Sequence, residues 1–198
     1  MFDLSILIPS VLNGLTTGAI YALIALGLTL IYGVLHIINF AHGASLMLAL
    51  YAVYILHTKF GITPYWALPI LIPGMFLLGY GLQKIVINRS SHGRDENILL
   101  VTLGISIVME NLALLVFRSD TQTIETDLTL AVVEIGPAFI STPKVIAFGG
   151  ALLSSLILYL LISKTDLGRA IRAVSKEKAG ARLMGIDVDH VYAMTFGI

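Results

Sequence analysis

Apolar residues in this chain come in long runs, and the charges are gathered into a few short stretches between them. A helix that crosses a hydrocarbon layer about 30 Å thick, rising 1.5 Å per residue, needs about 20 mostly apolar residues. Five runs approach that length: one within Leu4 to Leu35, then Ala41 to Leu56, Trp66 to Ile87, Ile98 to Phe117 and Val145 to Ser163. A sixth begins near Val191 and reaches only Ile198, too short to span, which reads as a chain cut off at its C-terminal side. The predicted fold class is all-α: a polytopic transmembrane helix bundle of about five complete spans plus the start of a sixth. Residues 1–198 form one transmembrane domain in this reading, with a helical cytoplasmic loop over 164–189.

Composition agrees with a chain that faces lipid. Hydrophobic residues make up 57% and charged residues 12%, against roughly 45–50% and about 25% for an ordinary soluble domain. Twelve basic and twelve acidic side chains leave no net charge, which argues against nucleic acid as a partner. Their placement sets orientation, because basic residues concentrate in short cytoplasmic loops. Lys84, Arg89 and Arg94 surround the third link, and Lys164, Arg169, Arg172, Lys176, Lys178 and Arg182 follow the fifth run, so both loops are expected inside the cell. The link from Arg118 to Lys144 carries Asp120, Glu125, Asp127 and Glu134 and only those two cations, so it is expected outside, together with the N-terminus. Met1-Phe2-Asp3-Leu4 has no basic region before the first run, which therefore reads as a retained span rather than a cleaved signal. Within the external link, Thr129 to Ile135 has the character of a short strand or interfacial segment, and Pro137 and Pro143 follow it. Such a link serves either as a docking surface or as a passive connector. With no cysteine, disulfides and thiolate metal sites are excluded.

Gly14, Gly18 and Ala22 fall four apart in the first run, a spacing that puts small side chains on one face and lets another helix approach closely. The stretch Gly33 to Gly43 separates two apolar runs yet holds no Lys or Arg. It reads either as a helix break within the membrane, where His36, Asn39 and His42 satisfy freed backbone groups or line a cavity, or as a tight cytoplasmic turn capped by Asn39. His36 and His42 lie six apart with no carboxylate nearby, which speaks against a metal site. Glu110 and Asn111 interrupt the fourth run, where a carboxylate is costly unless it meets a cavity, a partner or a hydrogen bond. After the fifth run, Thr165 or Asp166 can cap a helix with Leu167, Ala170, Ile171 and Val174 on one face and Arg169, Arg172 and Lys176 on another. A second short helix over about Ala179 to Met184 would end at Gly185. This pair reads as a rigid knob or as an interfacial helix held by anionic membrane lipid.

Two stretches resemble the LivH-type permeases of branched-chain amino acid ABC importers: Asn13 through Gly43, and Thr165 to Ala173 continuing through Arg182 to Ile186. The resemblance implies a non-enzymatic subunit of the inner membrane without a cofactor. Its implied partners are a second permease subunit, two cytoplasmic ATPase subunits, a periplasmic binding protein and an amino-acid substrate. No G-x-x-x-x-G-K-[ST] phosphate loop occurs in the chain. The resemblance also implies that Ala179, Gly180, Ala181, Arg182 and Gly185 form the coupling element against an ATPase. The motif Glu-Ala-Ala, three residues, Gly, common in such permeases, has Ala179 here in the place of Glu. Asn39, His42, Gly43, Glu110 and Asn111 are the expected pathway residues. Competing readings are a gradient-driven secondary transporter with Glu110 as its coupling carboxylate and, more remotely, an intramembrane enzyme using His36 or His42 as a base.

Overall fold

The computed structural model describes residues 4–36, 38–91, 95–118, 120–126, 128–129, 131–135 and 138–198. Met1 to Asp3, Ile37, Arg94, Asp127, Leu130 and Pro137, all used in the sequence reading, lie outside them. The described chain is almost entirely helical: α1 Leu4–Leu35, α2 Ala41–Phe60, α3 Pro64–Gly81, a π-helical segment Leu82–Ile87, α4 Asn88–Ser91, α5 Asp95–Phe117, α6 Thr142–Lys164, α7 Asp166–Lys176, α8 Lys178–Leu183 and α9 Val188–Gly197. Among the described residues, five stretches are long and apolar enough to cross a membrane: Leu7–Leu35, Ala41–Phe60, Pro64–Ser90, Asn97–Phe117 and Thr142–Lys164. The predicted all-α polytopic bundle is what forms.

Helix ends differ from the hydropathy limits for local reasons. α2 runs past Leu56 through the polar His57, Thr58 and Lys59 and stops at Gly61, whose φ of 67° is open to glycine. There the Gly61 and Ile62 N–H groups donate to His57 and Leu56 carbonyls at 3.0 and 3.2 Å, which satisfies the end of the helix. α3 starts at Pro64, a residue suited to a first helical position because its missing N–H has no partner there anyway. A π-helical turn over Leu82–Ile87, with Gln83 and Ile87 buried, continues α3 where a uniform helix was expected. Between α5 and α6, β1 Val132–Ile135 pairs antiparallel with β2 Ala138–Ser141, Val132 opposite Ser141 and Ile135 opposite Ala138. A short strand or an interfacial segment was expected over Thr129 to Ile135; a strand forms over Val132–Ile135, and its partner comes from the residues directly before α6.

The chain divides into two compact units. One comprises Met1–Gly27 with Glu125–Lys164. In it the Lys144 ammonium donates to Asn13 Oδ1 at 3.2 Å, tying α6 to α1, while Asn13 Nδ2 donates to the Pro9 carbonyl. The other comprises Leu28–Ile124 with Thr165–Ile198. Here α2 and α5 run parallel, since Phe40 meets Thr102 at one end and Tyr51 stacks on Phe117 further along. α3 and α9 run antiparallel, with Tyr80 beside His190 and Phe76 beside Gly197. A Cβ added to Gly79 would stand 2.7 Å from the Phe196 carbonyl, and one added to Gly197 would stand 2.9 Å from that of Phe76. Glycine therefore sets the distance between these two helices.

In this second unit an apolar core gathers the end of α1 (Ile31, Val34, Leu35), Ile87 of the π-helical segment and Ile98 of α5. Ile171 and Val174 of α7, Ala181 of α8 and Val188, Val191, Tyr192 and Phe196 of α9 complete it. The long apolar helices α1 and α5, the π-helical segment and the short helices α7 to α9 thus share one packed interior.

Candidate coupling surface and translocation residues

Thr165 has extended backbone and its Oγ1 accepts from the Gly168 N–H at 3.1 Å, so it and not Asp166 caps α7. Asp166 pairs instead with Arg169 on the exposed side. The amphipathic division is as the sequence suggested: Ile171 and Val174 are buried, Leu167 and Ala170 pack against the core, and Arg169, Arg172 and Lys176 are exposed.

α8 is closed at both ends. Its cap is the Glu177 carboxylate, which accepts from the Ala179 N–H at 3.3 Å. An acid therefore does begin this helix, two residues before the motif position that Ala179 occupies. At the other end the Gly185 N–H donates to Arg182 and the Ile186 N–H to Ala181, at 3.0 and 3.1 Å, with Gly185 at φ 82°. This pair of bonds around a left-handed glycine is a Schellman closure, and Ile186 returns to the core beside Ala181. Asp187 then caps α9 by accepting from the His190 N–H at 3.0 Å. The capped helices α7 and α8 form the knob, α9 follows from its own cap, and Lys178 lies over the Tyr192 ring at 5.3 Å.

Of the expected coupling residues, Ala181 faces the core, Gly180 is half-buried, and Ala179, Arg182 and Gly185 are exposed. Beside them stand two residues that the sequence reading passed over. Leu183 is 88% exposed and Met184 83% exposed, so the knob ends in an apolar tip flanked by a cation. In so apolar a chain, two more apolar residues gave no signal; only their position just before the terminating glycine marks them.

The stretch between α1 and α2 combines features of both earlier readings. α1 ends at Leu35, and His36 takes a left-handed φ of 59°, with its N–H bonded to Tyr32 at 2.8 Å. Asn39 is buried and its Oδ1 accepts from the Ala41 N–H at 2.9 Å, so it does hold the start of α2. The Phe40 N–H donates to Thr102 Oγ1 at 3.4 Å. Thr102 lies seven residues into α5 from Asp95, a distance of about 10 Å along the helix. The break is therefore level with the body of α5 and not with its end. His42 is half-buried and Gly43 exposed.

Glu110 and Asn111 are exposed on α5 and satisfied within it: Ser106 Oγ donates to Glu110 Oε1 at 2.8 Å, and Asn111 Nδ2 to the Ile107 carbonyl at 2.7 Å. The hydrogen bonds of this pair run within α5, and that of Asn39 Oδ1 runs to the start of α2. Nothing lies within 4 Å of a Cβ built on Gly14 or Gly18, and Ala22 is exposed, so the face they share is open within the described chain.

Five helices long and apolar enough to cross a membrane define a multi-pass membrane protein, and a capped knob shares its core with the end of α1, the π-helical segment and α5. A family model described as branched-chain amino acid transport system, permease component, matches residues 10–198. The chain belongs to this family. It is 29% identical over 203 residues to the high-affinity branched-chain amino acid transport system permease protein BraD of Pseudomonas aeruginosa, covering 96% of this chain and 66% of that protein. It is 29% identical over 200 residues to the corresponding LivH of Escherichia coli K12, covering 94% and 64%. A probable LivH of Methanocaldococcus jannaschii is 32% identical over 179 residues, covering 84% and 54%. The chain thus spans just under two thirds of the length of the first two relatives. No solved structure matches it.

Proposed function

We propose that the chain is the membrane-spanning permease subunit of an ATP-driven importer of branched-chain amino acids in the inner membrane. A second permease subunit, two cytoplasmic ATPase subunits and a periplasmic binding protein complete the transporter. One observation carries the reading beyond family membership: α7, α8 and α9 share an interior with α1, α5 and the π-helical segment, while the far side of α8 presents Leu183 and Met184. An ATPase that closes on that apolar tip moves a body continuous with the spans, because packed interiors transmit displacement and do not absorb it. Arg182 at the rim supplies charge complementarity, and the two apolar side chains supply the desolvated centre. The external N-terminus and the external link over Arg118 to Lys144 follow from loop charge, and the parallel α2–α5 and antiparallel α3–α9 pairings agree with regular alternation of spans.

The test combines association and energetics. Changing Leu183→Ser and Met184→Ser together should lower recovery of the ATPase subunit with the tagged permease by about tenfold or more. Insertion should be unchanged, since neither side chain is packed. Uptake should survive an uncoupler and stop on ATP depletion. Uptake that collapses with the ion gradient alone, or an ATPase that binds the double variant as well as the wild type, overturns the reading.

A further inference from the structure

A cleft of about 770 Å³ opens where α2 and α5 run side by side, closed by the segment that follows α5. Its wall is aromatic and rigid: Tyr51 stacks on Phe117 with ring centres 4.0 Å apart and planes 13° apart, and Tyr54 meets the same ring edge-on at 6.3 Å. Met47, Leu50 and Leu114 add an aliphatic surface.

Two opposite charges line the same cleft, Arg118 and Asp120. Both are exposed, and no ion pair joins them among the described residues. Arg118 takes φ 59° directly after α5, its N–H bonded to the Leu114 carbonyl at 2.8 Å, a left-handed conformation that L side chains rarely adopt. Gln122 Nε2 donates to the Asp120 carbonyl at 3.4 Å and holds the returning segment. A guanidinium and a carboxylate that do not pair with each other, lining one cleft with aromatic and aliphatic side chains, complement a ligand that carries both charges and an aliphatic chain. Guanidinium binds carboxylate through two parallel hydrogen bonds, and a carboxylate receives an ammonium group.

We propose that this cleft binds a free amino acid with an aliphatic side chain, its carboxylate on Arg118, its ammonium on Asp120 and its side chain against Met47, Leu50 and Leu114. The proposal deepens the permease reading and rests on it for the identity of the solute. On the proposed orientation the cleft opens to the outside, where it receives the solute before the membrane crossing. A phospholipid with an ammonium headgroup carries the same pair of charges, so the experiment separates the two sources.

The full chain in phosphatidylcholine nanodiscs is titrated with L-leucine, L-leucinamide and 4-methylpentanoate, with binding read by saturation-transfer NMR. Leucine should bind about tenfold or more tightly than either analogue, each of which lacks one charge-assisted contact. Arg118→Gln should weaken leucine by about the same factor and leave leucinamide unchanged. Asp120→Asn should weaken leucine and leave 4-methylpentanoate unchanged. The unaffected analogue in each case shows that the variant has folded. Equal binding of leucine by wild type and both variants overturns the site, as does displacement of leucine by phosphatidylethanolamine that weakens in both variants. Leucine uptake by cells carrying the complete transporter is followed in parallel. Uptake that stays at the wild-type level in both variants removes this site and leaves the permease reading standing, whereas wild-type cells that import no leucine remove that reading.

Discussion

Gly185 closes α8 with φ 82°, donates to the Arg182 carbonyl and turns the chain so that Ile186 reaches the core. A β-branched side chain at that angle costs about 1–3 kcal/mol. Gly185→Val should therefore abolish uptake while the chain still inserts, and Gly185→Asn, which tolerates the left-handed region, should keep most of it. Uptake and membrane-fraction blots of the two variants check this; normal uptake with valine would count against a coupling role. Gly185 and Thr165 were legible in the sequence because each acts within four residues on its own backbone. Glu177 was not, since its carboxylate caps a helix that the motif places two residues later. His36 and Arg118 were not legible as backbone positions either: both take φ 59°, and neither residue type announces a left-handed conformation as glycine does.

Among the elements, the glycine-dependent crossing lies between α3 and α9. A Cβ at Gly79 would meet the Phe196 backbone, so Gly79→Val should destabilise the helix pair by about 1–3 kcal/mol through overpacking. Gly18→Val has open space around it and should leave the same measurement unchanged. Thermal unfolding of both variants in detergent makes the comparison, and equal midpoints would refute the crossing. Spacing alone pointed to Gly14, Gly18 and Ala22, because a four-residue repeat is visible in sequence, whereas Gly79 and Gly197 stand 118 positions apart and meet only in the fold. The spans themselves were readable because hydropathy is a property of each segment by itself. The π-helical turn was not, since in a helix apolar on every side one extra residue per turn disturbs no pattern.

For the whole molecule, loop charge predicts which side each link occupies, and the pairings within the fold constrain the same quantity independently. Parallel α2 and α5, the second and fourth long apolar helices, run in the direction that alternation requires of them. That pairing agrees with alternation and leaves the absolute direction to the six cations from Lys164 at the end of α6 to Arg182. The chain contains no cysteine, so it serves unaltered as the background for single-cysteine labelling. Thr123→Cys, at the rim of the cleft beyond α5, should react with a membrane-impermeant maleimide in intact cells. Lys176→Cys, exposed at the end of α7, should react only after permeabilisation. The reverse pattern would invert the protein, bring the knob outside and remove any ATPase from its reach, whereas labelling of both sites in intact cells would contradict the crossing by α6 that separates them.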